Sequence, residues 1–312
     1  MALEQNSLIT IFGGTGFLGR HIVARLAKRG WRLRIVTRRP NEALHVKTNG
    51  VPGQIELVQG NIRDDASVAA ALDGADAVIN AVGILFESGK QKFAAVQAEG
   101  AQRIAQMAAQ QGIAHFVQIS AIGADENSAS LYAQSKAAGE QAVLQALPSA
   151  HILRPSIVVG PEDDFFNRFS AMAMLAPALP LIGGGDTRYQ PVAVFDVAAA
   201  VEACLDGAAG DIYELGGPDV LSFKQLMQML LAEIRRDRLL VPLPFAAAKL
   251  IAAFAQFMPK PLLTPDQVIL LKSDNIVSDE AAGFEALAIT PQPIAAIVPD
   301  YLARYRPAGK KG

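Results

Sequence analysis

Residues 7–19 read SLITIFGGTGFLG, and this stretch decides the fold. An apolar run over Ser7–Phe12 predicts a strand, and glycines at G-x-x-G-x-x-G spacing follow it directly. From Gly16 to Arg29 the apolar residues Phe17, Leu18, Ile22, Val23 and Leu26 recur at helical spacing. A glycine turn between a first strand and a helix is where main-chain N–H groups meet a pyrophosphate. Gly13 permits the tight turn, Gly16 lets the backbone approach a phosphate, and Gly19 lets helix and strand pack closely. Thr15, Phe17 and Leu18 lie among them and join the candidate cofactor contacts. The competing reading is an ordinary strand-to-helix turn with no ligand. The surrounding pattern favours the first.

Outward from the turn, strands are predicted at Arg32–Thr37, Ile55–Val58, Ala75–Val82, Ala114–Ser120 and His151–Val159. Helices are predicted at Ala66–Leu72, Lys92–Gln111 and Leu131–Leu147. This alternation predicts an α/β fold with a doubly wound parallel sheet, the Rossmann arrangement that binds NAD(P). After Pro161 the texture changes, with Pro177, Pro180 and Gly183–Gly185 breaking regular structure. The reading gives a dinucleotide-binding domain over 1–160, re-entered around 192–216, and a smaller C-terminal lobe from 161–191 and 217–305. A basic tail, 306–312, closes the chain. Ser222 is placed to cap a helix over Ser222–Ile234, Asp163-Asp164 to open one at Phe165, and Asp196 to cap another.

Composition narrows the function classes. Lys+Arg number 28 and Asp+Glu 30, a net charge of −2, so no global basicity points to nucleic acid. One cysteine, Cys204, excludes a disulfide framework and a thiolate zinc site, and its Ala/Val surroundings predict a buried, inert thiol. His21, His45, His115 and His151 are scattered without ligand spacing, so no metal is expected. No signal or transit peptide is read at the N-terminus, which suits a cytoplasmic chain. Pro244–Met258 is almost uniformly apolar but carries Lys249 at its centre, so it is not read as a membrane span. It reads either as a helix buried in the lobe or as one that docks on a partner or membrane surface.

Cofactor choice is read at the end of the second strand. An NAD site commonly places an acid there for the ribose 2′-hydroxyl. Here stand Arg38 and Arg39, whose guanidinium forks match a 2′-phosphate, so NADPH is expected over NADH. Asn61 and Ile62 follow the third strand, where an amide and an apolar side chain can meet adenine. Ala81, Val82 and Gly83 close the fourth strand with small residues that leave room for a cofactor. Tyr132 and Lys136 share one face of a predicted helix. An ammonium beside a phenol favours phenolate, and such a Tyr can exchange a proton at a carbonyl or alcohol. Ser120 ends the fifth strand twelve residues before Tyr132.

These motifs resemble the short-chain dehydrogenase/reductase superfamily in its extended or atypical branch. The resemblance is carried by the glycine turn, NAVG at 80–83, Ser120, YAQSK at 132–136 and LRPSIVVGP at 153–161. It implies Tyr132 as acid/base, Lys136 on the nicotinamide ribose, and Pro155, Ser156 and Ile157 beside the nicotinamide. Active members usually carry a second Ser or Thr just after the first; here Ala121-Ile122-Gly123 follows Ser120, which puts substrate activation in question.

GPEDDFFNRF at 160–169, LPLIGGGDTRYQPVAVFDVAAAV at 179–201 and LLTPDQVILLKSDNIVSD at 262–279 are similar to one subgroup. That subgroup contains the NADPH-carrying accessory subunit of respiratory complex I (NADH dehydrogenase 1 alpha subcomplex subunit 9) and its bacterial relatives. The resemblance implies NADPH as a structural or redox-sensing cofactor, complex I subunits as partners, and a place on the inner face of the plasma membrane. The rival expectation is a free NADPH-dependent oxidoreductase acting on a carbonyl or alcohol, with a quinone-related or isoprenoid substrate among the options.

Overall fold

The computed structural model describes residues 3–207, 210–258 and 261–307. In chain order the strands and α-helices are β1 (Leu8–Phe12), α1 (Phe17–Ala27), β2 (Arg32–Thr37), β3 (Ile55–Gln59), α2 (Asp65–Leu72), β4 (Ala77–Asn80), α3 (Glu99–Gln110), β5 (His115–Ile119), α4 (Leu131–Ala146) and β6 (His151–Pro155). There follow β7 (Val158–Val159), α5 (Phe165–Leu175), β8 (Ala178–Ile182), β9 (Arg188–Tyr189), β10 (Val192–Ala193), α6 (Val194–Asp206) and β11 (Ile212–Leu215). The chain continues through β12 (Leu221–Ser222), α7 (Phe223–Glu233), β13 (Leu239–Leu243), α8 (Phe245–Ala255), α9 (Pro265–Leu270) and α10 (Val298–Leu302).

These elements form two compact units, one from Met1–Pro155, Phe195–Leu215 and Ser278–Thr290, the other from Ser156–Val194, Gly216–Val277 and Pro291–Gly312. The first unit holds a seven-stranded sheet in the order β11-β6-β5-β4-β1-β2-β3, every pairing parallel. Strands covered on both faces need apolar residues on both, and all five residues of β1 are buried. Helix α1 buries Gly19, Ile22, Val23, Leu26 and Ala27 on one face. Asp64 caps α2, accepting the Ser67 N–H at 2.7 Å, and Ser130 caps α4, accepting from Ala133 N at 3.3 Å. Phe12, Phe116, Leu72 and Ile104 are fully buried at the centre of this unit.

Besides the strand expected over His151–Val159, which ends at Pro155 with residues 156–160 in the second unit, two departures from the sequence reading lie here. The helix expected over Lys92–Gln111 instead opens with a π-helical turn at Ala94–Ala98 before α3 begins. That turn carries the buried Gln97, and Gly139 of α4 sits so close that a Cβ there would stand 2.3 Å from the Gln97 carbonyl oxygen. The second departure is in the lobe boundary, since Ser278–Thr290 returns to the first unit instead of staying in the lobe. Backbone pairing explains the return: Glu214 N donates to Ala282 O at 2.8 Å, and Glu214 accepts from Ser278 N and Oγ at 2.9 and 2.6 Å.

In the second unit three short strand pairs, β7 with β10, β8 with β13 and β9 with β12, surround a core of Phe166, Leu181, Phe223, Leu226, Met227 and Tyr301. Ser222 and Gln225 form a reciprocal capping box at the start of α7. Asp164 holds the N-cap position of the helix at Phe165 without a side-chain cap bond, and the side-chain bonds there are made by Asp163, which accepts from Asn167 N at 3.1 Å and Gly160 N at 3.2 Å, as well as from the Tyr301 hydroxyl. Burial pushes the Asp163 carboxyl up from its ordinary value, against the pull of these donors. Asp196 lies inside the first turn of α6 instead of capping it, because that helix already begins at Val194. Cys204 is buried, and burial pushes its thiol up to about 12. Helix α8 corrects the buried-helix reading, since only Ala248 and Ala252 are buried while Leu250, Ile251 and Phe254 are 63%, 51% and 73% exposed. No helix among the described residues is long and apolar enough to cross a membrane. Of the basic tail, residues 308–312 lie outside the described residues.

The glycine turn makes a sharp stability prediction. A Cβ at Gly19 would stand 2.1 Å from the Gly13 carbonyl oxygen, whereas one at Gly16 would meet that oxygen at an ordinary 3.4 Å. Gly19→Ala should lower the unfolding free energy by roughly 2–4 kcal/mol. Gly16→Ala should change it by less than about 1 kcal/mol. Urea denaturation of both variants checks this, and equal costs would show that the close approach is not what the turn depends on.

Candidate functional site

In an open parallel sheet, ligands meet the carboxyl ends of the strands where the strand order reverses, here between β1 and β4. The two strand ends are locked together by glycine. Gly13 has φ +82°, and a Cβ there would lie 2.7 Å from both the carbon and the oxygen of the Ala81 carbonyl. Gly16 is the N-cap of α1 with φ −74° and ψ 178°, and no side chain caps the helix. The helix start therefore presents its N–H groups and the positive end of its dipole with no acidic residue in its first turn. Thr15, Phe17 and Leu18 are half-buried around the exposed Gly16.

The ends of β4 and β5 are tied by a chain of buried amides. Asn80 Nδ2 donates to Gln118 Oε1 at 2.9 Å, and Asn80 Oδ1 accepts from Val82 N at 3.2 Å. Gln118 Nε2 and the Lys136 ammonium both donate to the Ile119 carbonyl, at 3.1 and 3.3 Å. Gln97, also buried, donates to Ser135 Oγ at 2.8 Å and accepts from Ile84 N at 3.3 Å, fixing the loop after Gly83 against α4. A Cβ on Gly83 would lie 3.6 Å from both Gln97 Oε1 and Lys136 Nζ. The glycine turn, Ala81–Gly83, Ser120 and the Tyr132–Lys136 pair thus share one edge of the sheet.

Lys136 is buried, and desolvation lowers its ammonium to about 8, against the opposing field of Glu140. Its Nζ lies 5.8 Å from the centroid of the half-buried Tyr132 ring, which packs edge-on against Phe93. The Ser120 hydroxyl is buried and makes no hydrogen bond, although Ser120 N donates to Leu153 O at 2.7 Å. An orphaned buried hydroxyl is uncommon in folded proteins, and here it lies at the strand edge where a ligand is expected.

The remaining candidates are more spread out. Arg38 and Arg39 are exposed at the end of β2, and Arg39 pairs with Glu42 at 3.3 Å. Asn61 accepts from Arg63 N at 3.2 Å through Oδ1, and Ile62 packs over Gly100 in the core. Pro155 ends β6 and accepts from Ile122 N at 3.1 Å. Ser156 and Ile157 belong to the second unit, where Ser156 Oγ donates to Asn275 Oδ1 at 2.7 Å and so is already committed. Among the described residues no group of three or more His, Cys, Asp or Glu side chains is placed to hold a metal.

Sequence reasoning missed Gln97, Gln118, Glu140 and Arg154. Gln118 carried a signal, being a polar residue inside an apolar strand run, which in a two-sided sheet must be satisfied internally. Gln97 carried none, because only the π-helical turn brings it inward.

Because the Ser120 hydroxyl has no partner to lose, Ser120→Ala should change the unfolding free energy by less than about 0.5 kcal/mol, as urea denaturation without nucleotide would show. A cost above about 1.5 kcal/mol would mean that the hydroxyl is held by the protein itself.

Comparison with known proteins agrees with this fold. Residues 9–216 match the NAD dependent epimerase/dehydratase family. The chain is 39% identical over 314 residues to NADH dehydrogenase (ubiquinone) 1 alpha subcomplex subunit 9, mitochondrial, of Arabidopsis thaliana, an alignment covering 96% of this chain and 78% of that one. It is 35% identical over 203 residues to the ceramide reductase of Caulobacter vibrioides, covering 65% of this chain and 62% of the other. Among solved structures, the UDP-glucose 4-epimerase of Thermotoga maritima with UDP-glucose matches at a TM-score of 0.73 over 95% of this chain and 99% of that one, at 15% identity, a likeness of fold. With a nucleotide-type glycine turn at the switch point of its parallel sheet and a family match over residues 9–216, this chain belongs to the NAD dependent epimerase/dehydratase family, in its extended short-chain dehydrogenase form.

Proposed function

We propose that this protein is a short-chain-dehydrogenase-like subunit or partner of respiratory complex I that holds NADPH as a structural or redox-sensing cofactor. The observation that carries the reading is the likeness to the Arabidopsis complex I subunit along nearly the whole chain. The residues present fit the cofactor: the start of α1 is uncapped, Gly16 is open, and the buried Ser120 hydroxyl lacks a partner. Gly13, Thr15, Gly16, Phe17, Leu18 and Gly19 would hold the pyrophosphate through main-chain N–H groups and close packing. Arg38 and Arg39 would meet the 2′-phosphate, and Asn61 and Ile62 the adenine. Lys136 would donate to the nicotinamide ribose, with Ala81, Val82, Gly83, Pro155, Ser156 and Ile157 around the nicotinamide. When bound, the nicotinamide supplies a hydride. Tyr132 and Ser120 would hold a proton and a hydroxyl at a substrate oxygen, but Ala121 and Ile122 leave Ser120 without a neighbouring hydroxyl to share that work.

The exposed apolar side of α8 supports docking at a membrane-bound complex, on the inner face of the plasma membrane. A second reading, a free NADPH-dependent reductase, is favoured by the 35% likeness to a ceramide reductase and by the Tyr132–Lys136 pair.

Two experiments test the reading. Protein extracted from native membranes should comigrate with complex I on a native gel and release NADPH on denaturation. A freely soluble protein that turns NADPH over rapidly with a carbonyl substrate, and loses that turnover on Tyr132→Phe, would establish the reductase instead. In calorimetric titration NADPH should bind more tightly than NADH by about 1.5–3 kcal/mol, the worth of one charge-assisted hydrogen bond. Arg38→Asp should narrow or reverse that preference, and equal affinities in the unaltered protein would refute the NADPH assignment.

A further inference from the structure

One turn beyond Lys136 on α4 stands Glu140, which is 4% exposed. Residues four apart on a helix share a face, with about 5–6 Å between their β-carbons. The Glu140 carboxylate is turned to a different partner. Both its oxygens face Arg154 on β6, accepting from Arg154 Nε at 3.0 and 3.2 Å and from Nη2 at 2.6 Å. On its other side Arg154 faces Glu214 of β11 at 3.6 Å. Glu214 is itself gripped by Ser278 N and Oγ.

The formal charges behind Lys136 are therefore two carboxylates and one guanidinium, a sum of −1. The set becomes neutral only when Lys136 carries its proton. A buried, uncompensated charge is costly, and an excess carboxylate near a buried ammonium stabilises that ammonium through space. The groups packed around Lys136 agree with this assignment. On α4 they are the Tyr132 phenol and Glu140; on β5, the Ile119 carbonyl; behind Glu140, Arg154 and then Glu214. Gln97 and Gly83 approach from the π-helical turn and the loop after β4, and neither titrates.

We propose that Glu140 is a positioning residue for Lys136: its charge, gripped by Arg154 and unmatched within the Glu140–Arg154–Glu214 set, holds the buried ammonium ready for a ligand. Glu140 touches neither cofactor nor substrate in this role. Burial alone drives the Lys136 ammonium down, and the Glu140 field opposes it, leaving a value of about 8. The ammonium is therefore held below about pH 8 and lost as pH rises through that value. Without Glu140 the loss begins at lower pH. The consequence for nucleotide affinity rests on the reading that Lys136 meets the ribose; the titration of Lys136 does not.

The test is a pH titration by NMR of the full chain labelled with 13C at lysine Cε, without nucleotide, with Lys136 assigned by its absence in Lys136→Met. The unaltered protein should titrate with a midpoint of about 8. In Glu140→Gln the midpoint should fall by about one pH unit, the order expected for a partly screened charge at this range. A merely structural ion pair predicts the opposite sign, because loosened packing admits water and moves a buried lysine up toward its ordinary value. A folded Glu140→Gln protein whose Lys136 midpoint is unchanged or higher overturns the proposal. Arg154→Met guards against a Glu140→Gln chain that fails to fold. It leaves both carboxylates without the intervening cation, so the midpoint should rise, and an unchanged or lower value counts against the proposal equally. NADPH affinity measured on the same variants at pH 7.5 should fall about threefold in Glu140→Gln, since a midpoint moved down by about one unit from about 8 lowers the ammonium population from roughly three-quarters to roughly one-quarter at that pH. If the midpoint moves but the affinity does not, the positioning role stands and the placement of Lys136 on the ribose fails.

Discussion

Everything at the candidate site depends on one close approach of main chain to main chain. Gly13 turns with positive φ against the Ala81 carbonyl, and Gly19 lies on the Gly13 carbonyl with no room for a Cβ. These contacts set where α1 begins, and hence where its unpaired N–H groups point. They also fix the separation of β1 and β4 ends at the switch point of the sheet. Glycine here supplies absence of volume more than flexibility, which is why the third glycine of the turn matters as much as the first.

Behind that edge the sheet is polar where a parallel sheet is normally apolar. Asn80, Gln118, Gln97, Ser135 and Lys136 are buried, and each has a hydrogen-bond partner. A buried polar group that is fully satisfied rigidifies its surroundings, whereas one left open marks a place for something else to bind. Ser120, alone among the buried site residues in lacking a partner, marks such a place. The contrast between a satisfied framework and a single open hydroxyl is what distinguishes a prepared site from a merely well-packed strand end.

Much of this was legible in the sequence. The turn at 13–19, the strand alternation and the Tyr132–Lys136 spacing depend on short-range periodicity, so the Rossmann sheet and the gathering of Gly13, Ala81, Ser120 and Lys136 could be read directly. Features that depend on distant partners could not. Gln97 reaches the site only because a π-helical turn displaces it, and the role of Glu140 needs Arg154 and Glu214 from two other strands. The exposure of α8 was undecided for a different reason: an all-apolar helix has no polar face to show which way it points, and only the packing of Ala248 and Ala252 does so. Ser156 looked available beside Pro155, yet its hydroxyl is spent on Asn275, well over a hundred residues away.

The return of Ser278–Thr290 to the first unit bears on how this protein is made. Residues 1–155 are synthesised early, and the sheet receives β11 at 212–215, but the segment that pairs with Tyr213 and Glu214 comes later by some sixty residues. Until it emerges, Glu214 lacks its Ser278 donors and the outer strand keeps an open edge. Such an edge is where a nascent chain pairs wrongly. The nucleotide-type unit is therefore not a detachable N-terminal module. It is finished only after most of the second unit has been made, and a fragment cut after β11 would carry the whole glycine turn on a sheet that is not yet closed off.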